Sequence, residues 1–477
     1  MRTIYIDITD IVQYSSTNPR VSGIQRVQAR LISAFVENNT GNDRIYVSFW
    51  NAIEKKMYCC DAAGIFNDPE FDSTKFRVKL GLLQARRFPT RKEVRRALAP
   101  HRGQKLKRTI QKLTILFSAL FARDRLQQFG IQDYLPYAGT VPCKLDSIES
   151  LSMNDDYVIL GAVWCNEEIM DFAKSHKQAG GRVFQLIYDL IPYYGPEYFS
   201  SDLTSAFCHF LDAVPSFATH YLCISNWTRL DLQQYLSSKG IHADPAAIPL
   251  AHEFIGYPRN HTGSKPDNSE LLPLGKTPFV LSVGTIEGRK NISTLLKAWE
   301  ILINKGITPP ILVLAGKRGW DSEEIFREME QNPAISDIVR TIQSPSDRDL
   351  AYLYENCLFT LYPSHYEGWG LPVGEAAWFG KYVIASKSTS LPEVCADLID
   401  YIDPKSASSI ADAVEYALST PEHVAKKVAK IRQSNLRKWD EVASQLLSAI
   451  TTSDCKKPAT TSTFQDNSTA RSQIARI

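Results

Sequence analysis

A chain of 477 residues with 54 Lys and Arg against 52 Asp and Glu carries a formal net charge of +2, so as a whole it is not built to bind a polyanion. A hydrophobic fraction of 44% and a charged fraction of 22% are those of an ordinary folded protein, and the length predicts two to three domains of about 100–200 residues each. No apolar run reaches the roughly 18 residues of a membrane-spanning helix, no secretory signal pattern precedes the first strand, and nine scattered cysteines without a Cys-x-x-Cys spacing predict reduced thiols in a cytoplasmic protein.

In chain order, residues 4–9 predict the first strand. A loop with Pro19 and Gly23 follows. Ile24, Val27, Leu31 and Phe35 then mark one face of a helix to about Asn38. Strand, glycine loop and helix form a phosphate-facing arrangement, but no Gly-x-Gly-x-x-Gly fingerprint occurs. Residues 44–50 predict a second strand. From 75 to 112 the chain carries fourteen Lys and Arg against one acid, Glu93, and Ile110, Leu113, Leu116, Phe117 and Leu120 then share one helical face. This insertion, about residues 75–130, reads in two ways. Its apolar stripe packs on the domain, or the segment lies on an anionic membrane surface. Nucleic acid is not expected, because the basic run lacks interleaved aromatics and any binding motif.

Strand and helix then alternate. Residues 157–161 and 182–188 predict strands around a helix over 166–178. The second strand ends in Tyr188-Asp189-Leu190-Ile191-Pro192. A polar residue at the carboxyl end of a parallel strand is where α/β sheets place ligand contacts, so Asp189 is a candidate site residue; it also suits a loop-capping role. Residues 220–225 and 246–251 predict strands, with Asn226 capping a helix to about Ser238. Residues 257–276, rich in Pro, Gly, Ser and Asn, read as a linker.

Residues 278–284 then form a continuous apolar run, as expected for a strand covered on both faces. Asn291 is expected to cap a helix ended by Gly306, and Asp321 with Glu324 to form a capping box. Strands are expected over 311–315, 338–342, 358–362, 382–386 and 399–402. One helix from 427 to about 450 carries Trp439, and a polar tail from 451 is expected to be disordered. Repeated β-α units at this spacing predict a parallel, doubly wound sheet.

Two motifs carry chemistry. After the strand over 358–362 comes Glu367-Gly368-Trp369-Gly370-Leu371-Pro372-Val373-Gly374-Glu375, leading into a helix that stops at Gly380. A loop before a helix N-terminus offers backbone N–H groups to an anion, and Gly368 and Gly370 would let a ligand approach the backbone. Glu367 and Glu375 suit hydroxyl donors, such as those of a sugar and a ribose; two solvated glutamates on a capped turn are the alternative. The second motif is Gly284-Thr285-Ile286-Glu287-Gly288-Arg289-Lys290-Asn291, whose adjacent cations before a helix suit a diphosphate. A glycine turn, Ala315-Gly316-Lys317, ends another strand. His365 reads as a structural hydrogen-bonder.

Two glutamates separated by seven residues, with Gly-x-Gly-Leu-Pro between them, resemble the signature of the retaining glycosyltransferases of family four. The resemblance implies an α/β fold of GT-B type: two facing Rossmann-like, doubly wound parallel-sheet domains with a cleft between them. Residues 1–265 would be the acceptor domain with the insertion, 276–440 the nucleotide-sugar domain, 441–450 the end of a crossover helix and 451–477 the tail. It implies that Glu367 contacts hydroxyls of the transferred sugar. Backbone groups of Gly368, Trp369, Gly370 and Leu371 would hold sugar and diphosphate, and Glu375 the ribose. Arg289 and Lys290 would sit on the leaving diphosphate in place of a metal ion. Ser22-Gly23-Ile24-Gln25-Arg26-Val27 is similar to the N-terminal loop of relatives that build bacterial surface polysaccharides, which puts Gly23 against the donor phosphates. Gly316 and Lys317 are similar to a loop lining the base in mannosyl-transferring relatives. The family often has His-Asp where this chain has Tyr188 and Asp189, which leaves Asp189 as the catalytic candidate there.

The expectation is a hexosyltransferase, mannosyl from GDP-mannose, acting with retention on a polysaccharide or lipid-linked saccharide. It would need no metal or other cofactor, and would be cytoplasmic or peripheral on the inner membrane. A sugar-nucleotide 2-epimerase, or a non-catalytic module that binds a sugar nucleotide or anionic lipid, are the alternatives.

Overall fold

Short apolar segments separated by helices pair into two sheets. The computed structural model describes residues 3–452 except 19–20, 22, 40–42, 67–70, 84–87, 130, 132–136 and 138. Pro19, Ser22, Arg86, Arg87 and the tail beyond 452 therefore lie outside the described residues. The first sheet comprises β1 (Thr3–Asp7), β2 (Arg44–Asn51), β3 (Lys56–Asp61), β4 (Asp146–Ile148), β5 (Asp156–Ile159), β6 (Arg182–Ile187), β7 (His220–Cys223) and β8 (Ala246–Ala247). Their order across the sheet is β4-β3-β2-β1-β5-β6-β7-β8. The second comprises β9 (Phe279–Val283), β10 (Ile311–Gly316), β11 (Val339–Gln343), β12 (Phe359–Tyr362), β13 (Val383–Ser386) and β14 (Asp400–Ile402), in the order β11-β10-β9-β12-β13-β14. All pairings of the second sheet are parallel. The first is parallel except toward one edge, where β3 pairs antiparallel with both β2 and β4.

The strand order reverses beside β1 in one sheet and beside β9 in the other. Connections leave to opposite sides there and open a crevice at the carboxyl ends of the strands. These two switch points face one another across the interdomain cleft. One apolar cluster joins both units: Ile6 and Val47 of the first sheet, Leu281 and Val313 of the second, and Phe254, Tyr354, Trp369, Trp378 and Trp439. The terminal helix Trp439–Thr452 returns to the first unit and packs on the helix Ile24–Glu37. There Trp439 Nε1 donates to the Glu253 carbonyl at 3.1 Å and Gln445 Nε2 to the Ala247 carbonyl at 3.0 Å.

Several expectations are corrected. The first strand stops at Asp7, because the Asp7 carboxylate accepts from the backbone N–H and hydroxyl of Thr9, a local turn that ends the ladder; a short helix, Thr9–Tyr14, follows. The antiparallel strands β3 and β4 and the helix Ser201–Phe217 are not among the expected elements. That helix contains Pro215 and buries Phe207, Phe210, Leu211, Val214 and Phe217, so its pattern is that of a packed helix with a breaker inside. Ser225, not Asn226, caps the helix Asn226–Ser238. Asn291 occupies the N-cap position in a left-handed conformation, φ +62°, but its amide donates to the Pro363 and Pro404 carbonyls instead. Asp321 and Glu324 form no capping box; Ser322 holds the N-cap position, and Asp321 has φ +52°.

The helix expected over 427–450 is two helices, Pro421–Gln433 and Trp439–Thr452. Between them the Arg437 carbonyl accepts from the His252 N–H and the Arg437 N–H donates to the His252 ring Nδ1, and Arg259 reaches the carbonyls of Ile431 and Ser434. Tertiary partners have replaced intrahelical ones. The final helix also extends two residues into the expected tail. Trp439 is 4% exposed, so Trp439→Ala should cost roughly 3–5 kcal/mol. The expected result is a lower urea midpoint, read by intrinsic fluorescence and circular dichroism together.

Candidate active site

The charged residues sit on two loops at the switch point of the second sheet. After β9 the chain passes Gly284 and makes the 3-10 turn Gly288–Lys290, which Asn291 closes. Gly316, at the end of β10, lies so close to this loop that a Cβ on it would fall 1.8 Å from the Gly284 carbonyl oxygen. Its glycine is required by backbone packing. After β12 the loop 363–370 leads into the helix Leu371–Trp378, with Gly370 at the N-cap, φ +119°.

Arg289 and Lys290 both turn onto Glu367. Lys290 Nζ lies 2.6 Å from Glu367 Oε1, and Arg289 lies 2.9 Å from Oε2. Arg289 also pairs with Glu287 at 2.8 Å and donates to the Tyr366 carbonyl at 2.8 Å. Lys290 donates to the Tyr362 hydroxyl at 2.5 Å, with its Nζ 4.8 Å from that ring's centroid. Glu367 is 7% exposed. Burial pushes its pKa up, but Arg289 and Lys290 more than offset this and hold it at about 2. Lys290 is pushed down, first by burial and also by Arg289, with Glu367 pulling the other way. From the opposite domain, Asp189 is pushed up by burial, against the Ile191 N–H and Arg289. The Asp189 carboxylate accepts from Ile191 N–H at 2.9 Å, so it caps the turn and feels the cationic pair at once.

The loop around Glu367 is tied to the next crossover. Thr389 Oγ1 donates to the Glu367 carbonyl and accepts from its N–H, both at 3.0 Å. Ser390 Oγ donates to the carbonyls of Glu367 and Trp369 at 2.8 and 2.9 Å. The two glycines serve packing. A Cβ on Gly368 would fall 2.2 Å from the Tyr188 carbonyl of the other domain, and one on Gly370 would fall 2.5 Å from Leu391 Cδ2. Expected to admit a ligand, they admit the facing backbone and a leucine. The Trp369 side chain is 4% exposed and belongs to the interdomain core, and Leu371 packs against that core.

Glu375 has a different set of partners. It accepts from the Tyr354 hydroxyl at 2.9 Å and pairs with Arg26 of the first domain at 3.4 Å. Arg26 in turn lies 4.8 Å over the Phe254 ring and 3.6 Å from Asp347. Burial pushes the Glu375 pKa up, against Arg26 and Tyr354. Gly23 starts the helix that carries Arg26, at φ +55°, and a Cβ on it would meet nothing within 4 Å. Lys317 is exposed and points its Nζ at the Tyr14 ring of the first domain, 5.9 Å from the centroid. His365 donates its backbone N–H to the Arg289 carbonyl, and its ring stacks on Tyr198 at 6.2 Å.

Beside the cluster is a cavity of about 150 Å³. Trp164, Phe199, Phe207 and Phe210 supply its walls, with Asp189 and Arg289 at its polar end. Gln185 also lines it, and its buried Oε1 is without a hydrogen-bond partner. Beyond the predicted site residues, Tyr362, Tyr366, Glu287, Arg26, Tyr354, Asp231 and Glu393 complete the site. Glu393 accepts from the N–H groups of Asn226 and Trp227 at 2.8 and 2.6 Å. Trp227 Nε1 donates to the Tyr366 hydroxyl at 3.2 Å, and that hydroxyl donates to Asp231. Arg26 and Glu287 lie inside the two glycine-loop motifs, where sequence alone assigns them no role of their own. The others are single polar residues whose only signal is their place in the fold.

Residues 265–434 match the family described as Glycosyl transferases group 1. The O-antigen chain mannosyltransferase B of Escherichia coli is 33% identical over 174 residues, 36% of this chain and 45% of the relative. The serotype-specific mannosyltransferase WbdA of Escherichia coli is 25% identical over 292 residues, 59% of this chain and 35% of the relative. The chain thus spans less than half the length of these curated relatives. Among solved structures, Anabaena Alr3699/HepE in complex with UDP superposes with a TM-score of 0.54 at 12% identity, over 95% of this chain and 100% of that one, a likeness of fold. Residues 265–434, with Arg289, Lys290 and Glu367 inside them, form a Glycosyl transferases group 1 domain, and the chain as a whole has the two-domain GT-B architecture.

Proposed function

We propose that this chain is a retaining hexosyltransferase that takes a mannosyl unit from GDP-mannose and passes it to a saccharide acceptor, free or lipid-linked, without a metal ion. The observation that carries this reading is the meeting of Arg289, Lys290 and Glu367 at the carboxyl ends of β9 and β12, opposite Asp189. A sugar–diphosphate bond breaks with negative charge growing on the diphosphate. Two fixed cations placed there favour the transition state over the ground state. Removing one partner of a buried ion pair costs about 3–5 kcal/mol, so the cations need an anion at all times. Glu367 fills that need in the free protein. A bound diphosphate relieves it and frees the carboxylate to accept hydrogen bonds from sugar hydroxyls. The acceptor hydroxyl then attacks the anomeric carbon on the face the diphosphate leaves, and its proton passes to the leaving phosphate oxygen.

The aromatic-walled cavity beside Asp189 has room for about one ring and is the place assigned to the acceptor. Both reported relatives are named mannosyltransferases, which supports mannose as the sugar. Glu375, to which the family resemblance gives the ribose, is paired with Arg26 of the first domain, and we assign Arg26 to the same subsite.

Lys290→Ala should lower kcat by about 10²–10³-fold, while Glu367→Gln should bind free GDP at least as tightly as the native chain yet lose transfer. Nuclear magnetic resonance of the product should show the donor's anomeric configuration, and chelators should leave the rate unchanged. Inversion, or release of a 2-epimerised sugar without acceptor, would sink the assignment; a Lys290→Ala chain of full function would favour a binding module. In a thermal-shift panel, GDP-mannose at about 100 times its Kd should add roughly 2.7 kcal/mol, against none for a nucleotide sugar that does not bind.

The ion pair also makes a pH prediction. Glu367 has a folded pKa of about 2, below its ordinary 4.5. Its contribution to stability is therefore complete above about 4.5 and is lost as pH falls toward 2. The unfolding midpoint of Glu367→Gln should accordingly fall less than that of the native chain between pH 5 and pH 3.

A further inference from the structure

The insertion folds into a small helical module with a core of its own: Leu98, Ile115, Ala119, Leu126 and Ile131. Its main helix, Lys105–Phe121, buries only Ile115, Ser118 and Ala119. Leu106, Ile110, Leu113, Leu116, Phe117, Leu120 and Phe121 are 45–75% exposed. At 100° per residue these seven side chains cover one continuous arc of about 140°, on the side away from the buried residues. The stripe therefore faces outward and does not pack on the domain. Thr109 lies within the same arc, and its hydroxyl donates to the Lys105 carbonyl at 3.0 Å. That bond satisfies the one polar group there.

The charges beside this face have one sign. Arg91, Lys92, Arg95, Arg96, Arg102, Lys105, Lys107, Arg108 and Lys112 are all exposed. Among the described residues from 91 to 112, Glu93 is the one acid, and it is spent in a capping box with Thr90. Lys105 and Lys112 border one edge of the apolar arc and Lys107 the other. The helix also begins without an acidic residue or a side-chain cap, with three cations in its first four positions. A helix N-terminus repels cations, so this end is in electrostatic deficit until anions meet it.

We infer that this face docks on an anionic lipid surface, with the apolar arc in the acyl boundary and the Lys and Arg side chains among the headgroup phosphates. A second copy of the chain fits less well. A symmetric pairing about this helix would set nine cations against nine, whereas anionic lipid neutralises them. Among the described residues no helix is long and apolar enough to cross a membrane, and the inferred attachment is through this face.

The test is co-sedimentation of the full chain with vesicles of phosphatidylcholine, alone or with phosphatidylglycerol. Binding is expected with the anionic vesicles and should weaken as salt rises. Each Lys or Arg near such a surface is worth about fivefold in affinity, so K105Q/K107Q/R108Q/K112Q should lose on the order of a hundredfold or more. Leu113→Glu with Phe117→Glu should abolish binding and, both sites being exposed, leave the unfolding midpoint unchanged. Equal binding by that double variant overturns the inference. So does a native chain that ignores both vesicle types, including one that instead dimerises through Leu113 and Phe117.

Discussion

Two partly buried cations side by side cannot persist without an anion, and the organisation of this molecule follows from how that need is met. Arg289 and Lys290 stand next to each other where the chain leaves β9, and Glu367, from the loop after β12, pairs with both. The pairing holds the loops on either side of the switch point together, yet it is exchangeable. What the cations require is negative charge at that place, and a carboxylate or a diphosphate can supply it. The site is thus kept in a neutralised state that a stronger anion can replace, without repacking the sheet beneath.

The cleft depends on contacts that leave little slack. Gly368 lets its loop come within van der Waals reach of the Tyr188 carbonyl, and any side chain at that position would push the domains apart. Glu393 caps the helix Asn226–Ser238 from across the interface, Arg26 reaches Glu375, and the terminal helix returns to the first unit through Trp439. These contacts come from both domains and converge on the switch points, so the positions of Asp189 and of the Arg289–Lys290–Glu367 cluster are set by the interface as much as by either sheet. The apolar cavity beside them is walled largely by the first domain, but Arg289 of the second reaches it. A ring held there lies next to the group that would carry the leaving charge.

The insertion obeys a separate logic. It adds a small core and an outward apolar helix face to one domain, and neither is needed to assemble the two sheets. Its surface pairs hydrophobic area with charge of one sign, a combination that costs solubility and destabilises the helix start, and the partner inferred for it is one that is both apolar and anionic.

By itself the sequence determined the doubly wound architecture of the second domain. Strands such as Phe279–Val283 are short, continuous apolar runs between amphipathic helices, and that local signal survives folding. It also determined that Arg289, Lys290 and Glu367 stand at strand-to-helix turns, because Gly, Pro and charge in those turns are local choices. Only the tertiary structure decided what those residues touch. That Gly368 and Gly370 make room for Tyr188 and Leu391, that Trp369 is interdomain core, that the Asn291 side chain ties loops instead of capping its helix, and that Arg26 answers Glu375 all depend on segments over a hundred residues apart or on close side-chain fit. Antiparallel strands such as Lys56–Asp61 escaped for the same reason: their pairing is a property of the neighbour, and the break at 434–438 exists because His252 and Arg259 compete successfully for backbone groups that a lone helix would have kept.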